Sequence, residues 1–421
     1  MPIALLSLAA LLVDTYVYRN WRRFAIRRPR ARWTLPVYRA LMAAMPLVLP
    51  LYFSLSNWWA VEPKAVRFVI VGLWLTWYVP KGVIAAALAL KDFGRFAMWL
   101  FAWFKRQPAL VPAGGAAEDR LEPLDLTDMK RISRGEFLRQ MGWTAASVPF
   151  VFVGYSVFRG LYDFDVRRVD VPIPGLPRAF DGLRIAQLSD LHAGSLFSAK
   201  PMEEAVDLVL AEKPDLVAIT GDYVNHDAAE APILLPALDR LRAPLGVFGS
   251  LGNHDHYADV RDVARRVNAT AVDLLVNDGR TLAVDGARLH VVGTDNTGFG
   301  QRHGDLGAAM RSVRPNGDDA TVLLAHDPTF WDNTVRPSGH AVDLTLAGHT
   351  HGGQVGFEFG PARWSLARVM YPRWAGLYGE PLTPDGDGRQ FLYVNRGLGT
   401  VGPPVRLGIR PEITILTLRR V

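Results

Sequence analysis

Residues 183–192, LRIAQLSDLH, decide the fold: an uninterrupted apolar run stops on an aspartate and a histidine. The same arrangement recurs down the chain. DLVAIT (215–220) leads into Gly221-Asp222, and VFGSL (247–251) leads into Gly252-Asn253-His254-Asp255. TVLLAH (321–326) ends on His326, and LTLAG (344–348) runs into His349-Thr350-His351. RLHVVG (288–293), FLYVN (391–395) and ITILTL (413–418) are three further apolar runs. Short runs rich in β-branched residues read as strands, and their lack of polar alternation means sheets covered on both faces. Helical patterns lie between the first of them, at 200–212, 231–242 and 258–268. In the first of these Met202, Val206 and Val209 share a face and Ser198 stands as a cap. The alternation defines an α/β domain over residues 165–421.

Ligand sites in open α/β sheets gather beyond the carboxyl ends of strands. Five such ends here carry two aspartates, an asparagine and several histidines. Carboxylate oxygen and imidazole nitrogen suit divalent Mn, Zn or Fe, and a chain without cysteine has neither a soft ligand nor a thiol nucleophile. The donors suffice for two ions. In hydrolytic two-metal sites, ions about 3.5–4 Å apart clamp the attacking and leaving oxygens and make water a competent nucleophile near neutral pH. A strand-end histidine taken singly is usually structural, but this ordered set converges. His226, His290, His303 and His340 lack a motif and read as structural or solvated, and Asp227 and Asp295 read as turn residues.

D-x-H, G-D, G-N-H-D, a lone strand-end histidine and G-H-x-H, in this order, resemble the calcineurin-like metallophosphoesterases over about residues 180–421. GHTHGGQ (348–354) and VNRGLGT (394–400) resemble the membrane-anchored bacterial branch of that family. The resemblance implies a two-sheet β sandwich flanked by helices, with a dinuclear site at its edge. It implies that Asp190, His192 and His351 hold one metal, that Asn253, His326 and His349 hold the other, and that Asp222 bridges. It further implies that His254 protonates the leaving oxygen and that Asp255 orients its ring. His256, next in the chain, is a candidate substrate contact. The stretch 361–378, PARWSLARVMYPRWAGLY, interleaves Arg363, Arg368 and Arg373 with aromatic residues. It reads either as a packed surface loop or as a rim that meets phosphate through arginine and lipid through the aromatics.

The N-terminal part reads as membrane. Residues 1–106 hold apolar segments at 2–18, 40–56 and 66–90, each approaching the roughly 17–25 residues that cross the hydrocarbon. The stretch 94–104 is too short to cross and predicts a separate interfacial helix. Residues 107–130 read as a linker and 131–164 as a signal-anchor-like fourth span. Ser133 to Leu138 resembles a twin-arginine motif in which Gly135 replaces the second arginine. Seven arginines and no acid lie within 19–32, and such loops stay cytoplasmic. Four spans then place the catalytic domain outside the cytoplasm, on a multi-pass protein of the inner (cytoplasmic) membrane. Lys81 either snorkels at a span end near Pro80 or pairs with Asp14.

The net charge of +6 invites a nucleic-acid reading, but the densest basic run sits between apolar segments, so no nucleic acid is expected. The reading is a membrane-anchored, divalent-metal-dependent phosphoesterase in contact with membrane lipids. Its substrate would be a phosphorylated small molecule, a phospholipid, or a lipid-linked or cell-envelope compound. The alternatives are a UDP-sugar pyrophosphatase acting on an acylated intermediate at the cytoplasmic face, and a non-catalytic, metal-stabilised receptor or scaffold.

Overall fold

In a computed structural model of the chain, residues 2–56, 64–104 and 134–421 are described, apart from 299, 301, 317, 361, 382–388 and 403. The linker expected at 107–130 lies outside the described residues. The chain divides into two units, Met1–Gly154 and Tyr155–Val421.

The first unit is built on α1 (Pro2–Ala25), α2 (Thr34–Ser56), α3 (Lys64–Phe104) and α4 (Arg134–Ala145), and it contains most of α5 (Val148–Phe158). Among the described residues, three stretches are long and apolar enough to cross a membrane: Pro29–Leu51, Val69–Trp103 and Phe137–Phe158. The apolar segment at 2–18 is helical, within α1. The separate interfacial helix expected at 94–104 is corrected: α3 is one helix of 41 residues. Nothing between Leu90 and Gly94 stops a helix, and at 1.5 Å per residue α3 is about 60 Å long, twice the hydrocarbon thickness. The fourth segment is two helices, not one. Pro149 lacks an N–H and its ring collides with the carbonyl four residues earlier, so α4 ends at Ala145 and α5 restarts with the proline in its first turn.

Asp14 and Lys81 form an ion pair, with side chains 0% and 1% exposed. The ammonium lies 3.3 Å from the centre of the Trp77 ring and 4.4 Å from that of Tyr38. Tyr78 Oη donates to Asp14 Oδ2 at 2.8 Å. Of the two readings of Lys81, the pair is therefore the one observed, and a snorkelling lysine is excluded by burial.

The second unit holds two six-stranded mixed sheets flanked by helices. The first contains β1 (Asp165–Ile173), β2 (Arg184–Leu188), β3 (Leu216–Thr220), β4 (Val247–Ser250), β5 (Asp273–Leu274) and the last strand, β14 (Glu412–Arg420). Their order is β1-β14-β2-β3-β4-β5, with only the β14–β2 pair antiparallel. The second contains β6 (Asp278–Val284), β7 (Ala287–Gly293), β8 (Ala320–Leu324), β9 (Leu344–Ala347), β12 (Gly376–Pro381) and β13 (Arg389–Val394). Its order is β12-β13-β9-β8-β7-β6, antiparallel only at the two outer pairs. A hairpin of β10 (Gly356–Phe359) and β11 (Ala362–Ser365) stands apart. One buried apolar cluster draws on both sheets, from Ile185, Leu216 and Leu416 to Val291, Val322 and Leu346.

The helix pattern at 200–212 is α6 (Lys200–Ala211), but its N-cap is Ala199 without a side-chain cap, so Ser198 does not serve. Pro232 and Pro236 break the pattern at 231–242 into a 3-10 segment, Ala228–Ile233, and a single turn, α7 (Leu235–Leu238). After α8 (Asn253–Tyr257), the carboxylate of Asp259 caps α9 (Val260–Asn268) through the N–H groups of Arg261 and Asp262. The last helix is α10 (Leu306–Val313).

Candidate metal centre

Parallel β2, β3 and β4 of one sheet and parallel β8 and β9 of the other deliver their carboxyl ends to one place. The chain must turn sharply there. Asp190, His192, Asp222, His349 and His351 all have positive φ, between 47° and 68°. Non-glycine residues rarely hold this conformation, and such strain collects at functional sites. Gly348 is required beside them, because a Cβ there would overlap the Ser189 hydroxyl and the Asp190 carboxylate.

The turns bring together two groups. Ligand atoms of Asp190, His192 and His351 lie within 4.8 Å of one another, as do those of Asp222, His326 and His349. Asp222 Oδ2 is 3.1 Å from His326 Nε2 in its own group and 3.5 Å from His192 Nε2 in the other. His351 Nε2 is 3.4 Å from Asp190 Oδ1 and 3.0 Å from His192 Nε2. The carboxylate of Asp190 also accepts the backbone N–H of His349, 159 residues along the chain. His326 Nδ1 donates to the carbonyl of Thr220 at 2.7 Å, which turns Nε2 toward Asp222.

Burial holds the His192 ring down to about 3 and the His349 ring to about 4, so both present lone pairs at neutral pH. Burial also pushes Asp190 up to about 6. His326 goes the other way: burial opposes its charge, but the Asp222 carboxylate outweighs this and raises the ring to about 10. Asp222 is held low, its burial overridden by His326 and His192.

These residues fit a pair of divalent cations. Buried His192 Nδ1 and Asn253 Oδ1 have no hydrogen-bond partner, a costly state for interior polar atoms. Oxygen and imidazole donors of this kind suit Mn, Zn or Fe. The two sites give the chain metal-binding clusters in the setting of a metal-dependent hydrolase.

His254 stands at the same edge, its ring centre 4.8 Å from that of His192 and perpendicular to it. Its Nδ1 lies 2.6 Å from the carbonyl of Asn225. A carbonyl only accepts, so Nδ1 carries hydrogen and Nε2 is left available. This corrects the role expected for Asp255. That carboxylate does not touch the ring; it accepts the backbone N–H groups of Asp222, Tyr223, Val224 and Gly252 at 2.8–3.3 Å. Asp255 therefore ties the loop after β3 to the loop after β4.

The outer residues sort differently from expectation. His256 Nε2 is 2.6 Å from Asp295 Oδ1, and its ring stacks on His303 with centres 4.5 Å apart. Arg373 is paired with Asp332 and Glu380 and lies over the Trp331 ring. Arg363 donates to the carbonyl of Ala375 and packs on Trp374. Arg368 is exposed. Sequence reasoning missed three residues that touch the centre. Asn225 acts through its main chain and leaves no side-chain signal. Tyr371, in the aromatic stretch already quoted, meets His349 Nε2 at 2.8 Å. Arg406 is fully buried, held by the carbonyls of Arg396, Gly397 and Gly399, and lies 3.4 Å from His351 Nδ1.

Comparison with known proteins agrees with this geometry. Residues 183–353 match the family described as calcineurin-like phosphoesterase. Residues 1–161 match "Probable Calcineurin-like phosphoesterase, transmembrane domain". The chain is 31% identical over 304 residues to "Uncharacterized metallophosphoesterase YkuE" of Bacillus subtilis (strain 168), spanning 69% of this chain and 99% of that protein. It is 32% identical over 271 residues to "Transmembrane protein with metallophosphoesterase domain" of Bos taurus, spanning 60% of this chain and 57% of that one. On the paired ligand groups and these matches together, the chain belongs to the calcineurin-like metallophosphoesterase family and carries an N-terminal transmembrane region.

Proposed function

We propose that the protein hydrolyses a phosphate ester of a lipid or lipid-linked molecule at a membrane surface. The observation that carries this reading is Asp222 Oδ2, placed between His192 and His326 and so able to serve both ligand groups at once. Asp190, His192 and His351 would hold one divalent ion, and Asn253, His326 and His349 the other. When bound, such a pair supplies Lewis acidity to a phosphoryl oxygen and an acidified water. The residues themselves do the rest. Asp222 Oδ1 accepts the His254 N–H at 2.8 Å, which fixes that residue's backbone against the centre. The Asn225 carbonyl fixes the ring, and His254 Nε2 is left to hold the proton that the leaving oxygen takes. The apolar cluster common to both sheets supports reading them as layers of a sandwich with this site at its edge.

The lipid part rests on the hairpin and the loop behind it. Phe357, Phe359, Trp364, Leu366, Val369 and Met370 are all exposed, Phe359 by 76% and Val369 by 82%. Tyr371 follows directly and touches His349. An exposed apolar patch of this kind marks an interaction surface, and aromatic residues beside a cation such as Arg368 suit a membrane interface. Four passes, with the basic 19–32 segment in the cytoplasm, would put this unit on the extracytoplasmic side.

The test is hydrolysis by the purified full-length chain of matched phosphate esters, one soluble and one carried on a diacyl lipid in vesicles. Metal-dependent turnover that favours the vesicle ester supports the reading. Equal rates on both remove the lipid part, and no metal-dependent release of phosphate removes the whole.

A further inference from the structure

We propose that the membrane unit holds one anionic phospholipid between α1, α3 and α4, apart from the metal centre. Arg23 lies in the last turn of α1 and Arg27 in the turn that follows it, Lys91 and Arg95 lie four apart on α3, and Arg139 lies on α4. Lys91 and Arg95, at this spacing, share a helix face. All five line one cavity of about 580 Å³, and no acidic residue lines it among the described residues. Asp92 offsets part of the charge, lying 3.6 Å from Lys91 and 4.0 Å from Arg95. Arg23 and Arg27 have no acidic partner among the described residues.

The floor of this cavity is apolar. Ile84, Trp143 and Ala146 line it and also line a second cavity of about 310 Å³. The second is walled by Trp21, Tyr38, Trp77 and Phe150 and is almost wholly apolar. A clustered positive surface beside an aromatic pocket, with three lining residues in common, has the two-part chemistry of a phospholipid: phosphate on the cations, acyl chain beyond Ile84 and Trp143. A free phosphate would leave the apolar half unused. A zwitterionic lipid would set its own cation against five others. Five clustered cations also mark this side of the unit as the cytoplasmic one, where anionic lipid is met.

The experiment is native mass spectrometry of the full chain in detergent after incubation with phosphatidylglycerol, with phosphatidylcholine, or with inorganic phosphate. Wild type keeps one phosphatidylglycerol per chain and neither of the others. Changing Arg23, Arg27 and Lys91 together to Gln weakens retention on the order of a hundredfold. Ile84→Trp, which fills the junction and keeps every charge, lowers retention as well. Equal retention of phosphatidylcholine, or displacement of the lipid by equimolar inorganic phosphate, overturns the proposal. The wild-type comparison alone decides it if the triple variant does not fold.

Discussion

Asp222 Oδ2 lies 3.1 Å from His326 Nε2, although β3 and β8, which deliver the two residues, belong to different sheets. Each sheet supplies part of every ligand group: His192 comes from the first and His351 from the second, as do Asp222 and His349. The centre is thus a seam, and the same residues that would hold metal also register one sheet against the other.

His254 and Asp255 are neighbours with separable duties. His254→Ala should leave metal content unchanged and lower turnover about 10²–10⁴-fold, as loss of a general acid does. Steady-state kinetics beside a metal assay checks this, and unchanged turnover contradicts the role.

Asp255→Ala strips the acceptor from four backbone N–H groups. Buried donors without partners cost about 1–3 kcal/mol each, so losing the acceptor of all four should cost the domain at least about 4 kcal/mol. Urea denaturation reads that loss. A stable variant impaired only in turnover would restore Asp255 to the role of orienting the ring.

Acid sensitivity should trace in part to Glu358. Burial opposes its charge, but Arg396 and Arg167 outweigh burial and hold its carboxyl below the usual range. A carboxyl lowered on folding contributes stability above its unfolded value of about 4.3, and that contribution fades as pH falls through the lowered value. Glu358→Gln should therefore be less stable than wild type at pH 6, with the gap narrowing toward pH 3. Melting temperatures at both pH values test this, and a gap that widens in acid contradicts it.

In the membrane unit, Lys81→Leu leaves Asp14 buried without its cation, and breaking a buried pair in this way costs about 3–5 kcal/mol. The variant should melt at lower temperature in detergent. Adding Asp14→Leu should recover much of the loss. A single variant as stable as wild type would show that the pair contributes nothing to folding.

What could be read from the residues follows burial. The eight apolar runs are the eight interior strands of the two sheets, four in each. The strands passed over, β1, β5, β6 and β12, are the four sheet edges. An edge strand meets solvent, so β1 alternates exposed and buried residues and carries arginines and aspartates that no apolar pattern reveals. The residues of the two candidate ligand groups could be picked out because they stand where strands stop, five of the six on turns with positive φ. Their partners could not, since Asn225 works through a carbonyl, and Arg406 and Tyr371 arrive from distant segments only after the chain has folded. Pro149 was in plain view, yet hydropathy alone did not show that the fourth segment, still long and apolar enough to cross a membrane, is built of two helices.

The most direct measurement is the number of divalent ions bound per full-length chain, by elemental analysis, in wild type and in Asp222→Asn. The account predicts two ions in wild type and loss of affinity for both in the variant, because one carboxylate oxygen faces both ligand groups. Two ions retained by the variant, or one lost while the other binds as tightly as before, would contradict the shared role on which the hydrolytic reading rests.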